Sequence, residues 1–167
     1  MTEDLSRNEV LSLRFEERIP YLNKIVVNYR RGNELMEMME ECYQNCLDGT
    51  TQPPGMMIVG PSGAGKSTLV DLFVARHPAA KTEMGKKVPV LKFTVDAPAN
   101  KGNLVSSILD AFGDPLHDRG LIGSRSYRIR GYIDDCRTAM IIADEIQHFI
   151  DPNKTKLLLD VSNWFKI

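Results

Sequence analysis

The chain has 167 residues, 43% hydrophobic and 26% charged, with a formal net charge of −1. That is the size of one globular domain or slightly more, with enough chain to bury a core without disulfide or metal staples. It excludes global disorder, an apolar run of the roughly 20 residues that a membrane span needs, and a global basic field for nucleic acid.

The N-terminal Met1-Thr2-Glu3-Asp4 is acidic and shows no export signal. With three sparse cysteines, Cys42, Cys46 and Cys136, this predicts reduced thiols and a cytoplasmic location. Residues 1–30 read as a lead-in, interrupted at Pro20, with a β-branched run at Ile25-Val26-Val27. From Glu34 to Leu47 the residues Leu35, Met38, Met39, Cys42, Tyr43, Cys46 and Leu47 recur at helical spacing, and Gly49 suits a C-cap. Cys42 and Cys46 lie one turn apart on that stripe and are expected as buried thiols, since no further metal ligand is close by in sequence.

Residues 50–54 read as a loop. Met56-Met57-Ile58-Val59, bounded by glycines, predicts a buried parallel strand. Lys66–Arg76 predicts a helix with Leu69, Leu72 and Phe73 on one side, stopped by Pro78. A lysine-rich loop over 79–89 leads to a second strand at Val90–Val95. Asn100 suits the N-cap of a helix with the stripe Leu104, Val105, Ile108, Leu109 and Phe112, ended by Gly113-Asp114-Pro115. A weaker helix spans Ser124–Cys136, a third strand Ala139–Ala143, and a last helix Lys154–Phe165. Strands alternating with helices predict an α/β layered fold with a parallel sheet.

The segment Gly60-Pro61-Ser62-Gly63-Ala64-Gly65-Lys66-Ser67-Thr68 matches G-x-x-x-x-G-K-[ST] in full. Glycines let the backbone turn tightly enough for successive N–H groups to face phosphate oxygens. Lys66 then reaches the β and γ phosphates, Ser67 offers a hydroxyl to Mg²⁺, and the following helix points its positive end at the anion. At average glycine usage such a match arises by chance in well under about 1 chain in 100 of this length, which favours a real nucleotide loop. The strand Met140-Ile141-Ile142-Ala143 ends in Asp144-Glu145. Asp144 is placed to support Mg²⁺ through its water shell and Glu145 to orient an attacking water, so an adjacent pair favours hydrolysis by water over transfer to a bound acceptor.

With these parts in order, the chain resembles the AAA+ ATPases of bacterial transposition, the TniB/TnsC-like group. The stretch Met140–Phe149, with Ile146-Gln147-His148 after the acidic pair, carries the resemblance most specifically, together with Arg18-Ile19-Pro20-Tyr21 and the strand Val88–Phe93. It covers most of residues 18–165. The resemblance implies a P-loop NTPase of the AAA+/ASCE type, a three-layer sandwich around a parallel sheet, with residues 31–167 as a partial AAA+ domain. It implies ATP and Mg²⁺ as cofactors, with Gly60, Pro61, Ser62, Gly63, Ala64, Gly65, Lys66, Ser67 and Thr68 binding nucleotide. Ser67 and Asp144 would serve the metal, and Glu145 and Lys66 catalysis. Ile25–Val27 would line the adenine or form a plain core strand, and His148 would serve the site or simply pack.

The family's function is regulation of DNA transposition, by target-site selection and transposase activation through nucleotide-dependent assembly on DNA. Its partners are further ATPase subunits or a full-length ATPase, a transposase and a target-selection protein. The usual strand order 5-1-4-3-2 puts a fourth strand between the first and third. That strand, the helical lid and the arginine finger are expected beyond residue 167, so the chain is expected to be a truncated frame or a fragment. Its own ATP hydrolysis is then expected to be weak, since a trans arginine contributes about 10³–10⁵ in rate in GTPases.

Arg119, Arg125, Arg128 and Arg130 form one basic cluster without an intervening acid, and Lys81, Lys86, Lys87 and Lys92 a second, with Lys101 just beyond. Lys101, Arg125 and Arg128 are candidate contacts to non-specific double-stranded DNA, with a solvated or subunit-facing surface as the alternative. Two other functions stay open. A guanylate-like nucleoside monophosphate kinase shares the loop, although about 55 residues precede it here and no GMP-binding segment follows. The other is a hydrolysis-deficient ATPase remnant acting as an interaction module.

Overall fold

A computed structural model describes residues 7–14, 16–17, 29–48, 55–83, 85–95 and 100–149. The lead-in features at Pro20 and Ile25–Val27, the Gly49 cap, the loop at 50–54 and the helix at 154–165 lie outside the described residues, as does the side chain of His148. The chain divides into two compact units, 1–35 and 36–167.

The first unit holds α1 (Arg7–Ser12) and the start of α2 (Arg30–Asp48). The Ser12 hydroxyl donates to the Glu9 carbonyl at 2.6 Å, closing the last turn of α1. Arg30 and Arg31 both reach Glu34, at 3.0 and 3.4 Å. These exposed pairs contribute a few tenths of a kcal/mol, about 0.3–0.5 for the i,i+4 pair.

In the second unit the buried side of α2 is Met36, Met39 and Tyr43, while Met38 and Leu47 are exposed and Cys42 and Cys46 half-buried. The apolar stripe is therefore rotated from the one expected, because a partner helix selects which neighbouring apolar residues it covers. At Tyr43 that partner is α3 (Lys66–Arg76), whose bounds match the expected helix. The Tyr43 ring meets Phe73 edge-on at 6.4 Å and His77 at 4.2 Å, and His77 Nε2 lies 3.0 Å from Glu40 Oε2. Leu69, Val70 and Phe73 are the buried residues of α3; Leu72 is only half-buried.

Ala80–Thr82 (β1) and Gly85–Lys87 (β2) form a short antiparallel hairpin where a loop was expected. All six strand residues are exposed, so no alternation of apolar residues marks it in sequence. The Thr82 hydroxyl donating to the Gly85 carbonyl at 2.8 Å closes it.

The parallel sheet joins β3 (Val90–Thr94) to β4 (Met140–Asp144), in register from Val90↔Met140 to Thr94↔Asp144. Both strands fall within one residue of expectation. Their entry is pinned from both sides. Val88 N–H donates to the Cys136 carbonyl at 2.9 Å, and the Thr138 hydroxyl donates to the Val88 carbonyl at 2.8 Å.

Leu91, Phe93 and Val95 alternate along one face of β3 and enter the main core. They pack there with Leu104, Val105, Ile108, Leu109 and Phe112 of α4 (Lys101–Phe112) and with Ile129 of α5 (Ile122–Asp135). The α4 stripe is the predicted one, residue for residue. Its ends are also those expected. The Asn100 carboxamide oxygen accepts from Asn103 N–H at 2.9 Å. Gly113, at φ 89°, lets its own N–H reach the Asp110 carbonyl at 2.8 Å and Asp114 N–H reach the Leu109 carbonyl at 2.9 Å.

The expectation for the first strand is overturned. Met56–Val59 is not a strand: the backbone from 55 to 60 is irregular, and Met57 and Val59 are 74% and 79% exposed. Among the described residues the ladders join only β1 to β2 and β3 to β4. An apolar run becomes a buried strand only with a neighbour to pair its N–H and C=O groups, and none of the described strands provides it.

Candidate functional site

The glycine-rich loop runs from Gly60 into α3. Gly63 and Gly65 take φ of 76° and 83°, a backbone region that side chains with a Cβ enter only under strain. Gly65 stands at the N-cap of α3, and Leu69 N–H donates back to its carbonyl at 2.9 Å. Gly60, Pro61, Ser62, Gly63 and Ala64 are exposed, as is Thr68 in the first turn of the helix. Lys66 folds back across the loop, its ammonium donating to the carbonyls of Gly60 and Pro61, both at 2.9 Å. The lysine is thus held over the loop by two carbonyl oxygens.

The end of β4 comes to the same place. The Ser67 hydroxyl donates to Asp144 Oδ1 at 3.3 Å across 77 residues of sequence. Glu145 N–H donates to the same oxygen at 2.9 Å. The second oxygen of Asp144 lies 3.3 Å from the Lys92 ammonium, which also binds Asp71 Oδ1 of α3 at 2.6 Å. Burial works to raise the Asp144 pKa, but the hydrogen bonds from Ser67, Lys92 and the Glu145 backbone, with the Lys92 charge, outweigh it and hold the carboxyl below its ordinary range. For Lys92, burial works downward, and the two carboxylates prevail and raise it. Glu145 has φ 59°, an uncommon conformation for a residue with a side chain. Its carboxylate accepts from the Gln147 side-chain amide. The Ile146–Phe149 turn of 3₁₀ helix that follows carries the backbone of His148.

Among the described residues no three of His, Cys, Asp and Glu converge on one point. A preassembled protein cage for a metal is therefore not what these residues form. One hydroxyl beside one carboxylate could hold a hard divalent cation only with most of its ligands supplied from outside the protein.

The proposed DNA contacts are placed differently from one another. Lys101 is exposed at the first turn of α4. Arg125 and Arg128 are committed inside the chain. Arg125 Nη1 donates to the Ser106 hydroxyl at 2.6 Å and the Gly102 carbonyl at 3.3 Å. Arg128 binds Asp114 Oδ2 through Nε at 2.9 Å, and donates through Nη2 to the Leu116 carbonyl at 2.6 Å and through Nη1 to the Arg119 carbonyl at 3.3 Å. Asp114 is 5% exposed and also accepts from Leu116 N–H at 2.8 Å, so Arg128 neutralises a buried carboxylate. Neither the pairing of Arg128 with Asp114 nor the role of Lys92 was visible as a distinct signal among the basic residues. The available hint for Lys92 is its place in the middle of an apolar strand.

These features define a mixed helix/strand protein with a small parallel sheet, compatible with a P-loop-like α/β arrangement. Over residues 18–158 the chain matches the family model described as bacterial TniB protein, and it belongs to that family. It is thereby a transposition-associated protein. No curated protein matches the chain significantly. Among the described residues no helix is long and apolar enough to cross a membrane.

Proposed function

We propose that the chain is an ATP-binding, Mg²⁺-dependent NTPase module of the AAA+ type that regulates DNA transposition through nucleotide-dependent assembly on DNA. The observation that carries this reading is the approach of Ser67, at the start of α3, to Asp144, at the end of β4. A helix start without a side-chain cap, a lysine and a carboxylate then lie close together, as a nucleoside triphosphate with its cation requires.

In this reading Lys66 leaves the carbonyls of Gly60 and Pro61 for the β and γ phosphates, and the turn of Gly60–Thr68 presents backbone N–H groups to them. When bound, Mg²⁺ supplies neutralisation of phosphate charge. Ser67 and Asp144 would hold it, Asp144 through water. Glu145, its carboxylate steadied by Gln147, orients the attacking water. Further copies of the chain or a full-length ATPase, a transposase and a target-selection protein are the proposed partners, with non-specific double-stranded DNA as the track and the cytoplasm as the location. Membership of the TniB family favours this reading over a nucleoside monophosphate kinase.

The test is titration of the chain with ATP and Mg²⁺ by calorimetry, beside Lys66→Ala. Saturable binding that weakens roughly 10-fold or more in the variant supports the reading, by the loss of a charge-assisted contact to phosphate. Equal binding by both proteins, or none by either, refutes it.

A further inference from the structure

Lys92 stands in the middle of β3 between Leu91 and Phe93, both buried in the core. Its side chain leaves on the opposite face of the strand and is 23% exposed. There it bridges two carboxylates of unequal need. Asp71, 63% exposed, is solvated by water whether or not a cation is near. Asp144, 17% exposed, has little water and depends on neighbouring groups for its charge. Its Oδ1 faces Ser67 and the Glu145 N–H, and its Oδ2 faces Lys92. A divalent cation seated beside Ser67 and Asp144 meets a carboxylate that already has a positive partner. Like charges so close repel, so the cation and Lys92 compete for Asp144.

Resting on the nucleotide-site reading above, we propose that Lys92 is the resident counter-ion of Asp144, holding the carboxylate toward Ser67 while no divalent cation is present and shifting to Asp71 when one arrives. Lys92 is in this sense a positioning residue that sets how much Mg²⁺ adds to nucleotide binding. Asp71 is its second seat. The two residues act in opposite directions. Removing the Lys92 charge frees Asp144 for the cation, whereas removing the Asp71 charge leaves Lys92 with Asp144 alone.

The experiment measures ATP affinity with Mg²⁺ and with EDTA in the wild type, Lys92→Met, Lys92→Arg and Asp71→Asn. Melting temperature is followed alongside, in EDTA and in MgCl₂ without nucleotide. The ratio of the two affinities is expected to rise roughly fivefold in Lys92→Met and to fall by a similar factor in Asp71→Asn, the scale of one half-exposed ion pair. Lys92→Arg is expected to restore the wild-type ratio. The melting temperature of Lys92→Met is expected to be lower in EDTA and to gain more from MgCl₂ than that of the wild type. A ratio unchanged in both Lys92→Met and Asp71→Asn overturns the proposal. If Lys92→Met does not fold, the exposed Asp71→Asn decides alone, and an unchanged ratio there overturns it. If the wild type binds no ATP, the nucleotide reading fails by itself. The response of Lys92→Met to MgCl₂ alone then decides, and a response equal to that of the wild type overturns the counter-ion role.

Discussion

The Ser67 hydroxyl and the Asp144 carboxylate lie 3.3 Å apart, although 77 residues separate them in the chain. The contact ties the first turn of α3 to the tip of β4 and brings the two chemical halves of the candidate site together. Because the pair shares its proposed ligand, its two members should act as one unit. Ser67→Ala and Asp144→Asn are each expected to weaken ATP binding in Mg²⁺ while leaving binding in EDTA nearly unchanged. In the double variant the losses should fall short of additivity by about 0.5–1.5 kcal/mol, the range for groups in one hydrogen-bonded network. Calorimetric titration of the four proteins reads this coupling, and strict additivity would argue against a shared site.

Arg128 and Asp114 make a second long-reaching pair, with a structural consequence. Removing the guanidinium takes from a carboxylate that is 5% exposed the cation it pairs with. Arg128→Ala is expected to cost about 2–3 kcal/mol, measured by urea unfolding. Arg128→Lys should recover little of it, since Nε, Nη1 and Nη2 each hold a separate partner. Any loss of DNA binding in Arg128→Ala should follow the folded fraction. Lys101→Ala, at an exposed position, should instead keep the fold and lower the salt slope of DNA binding by about 1.

Glu40 gives the acid limb of stability a direction. The side-chain hydrogen bond from Gln44 is the largest influence on its carboxyl, opposed by burial and helped by His77, and the net result lies below the ordinary glutamate value. A carboxyl with a lowered folded pKa favours the native state at pH values above the ordinary range. That contribution is lost as pH falls through the folded pKa. Glu40 is 36% exposed, which limits the effect to about 0.5 kcal/mol or less. Melting curves of the wild type and Glu40→Gln should therefore differ near neutrality and converge in acid.

The cysteines should separate by reactivity. Cys136 is buried in the core beside β3, and burial pushes its thiol up. Cys46 is half-buried on α2, and burial followed by the neighbouring Cys42 raises it as well. Alkylation by iodoacetamide at pH 8 in the native protein should leave Cys136 unmodified and reach Cys46 slowly, with full labelling of both on unfolding. Peptide mass spectrometry distinguishes the positions.

How far the sequence reached depended on how local each feature is. The helix Lys66–Arg76, the Asn100 and Gly113 caps and the apolar stripe of α4 were legible because each depends on residues within a few positions of one another. The rotated stripe of α2, set by Tyr43 against Phe73 and His77, was not, because several apolar residues at similar spacing compete and only the packing partner chooses. Met56–Val59 had the composition of a buried strand, but a strand needs a paired neighbour, and among the described residues the run has none.

By itself the sequence determined the residue types and spacing of the glycine-rich loop and the acid-tipped strand, and with them the resemblance that the TniB family match bears out. Tertiary structure alone decided what the scattered charges do. Lys92, Arg125 and Arg128 read alike as surface cations, yet Lys92 bridges Asp71 and Asp144, Arg125 binds Ser106, and Arg128 holds Asp114. The physical reason is range. Backbone conformation and capping answer to near neighbours in the chain, whereas the fate of a charge depends on burial and on partners that only folding brings within hydrogen-bonding distance.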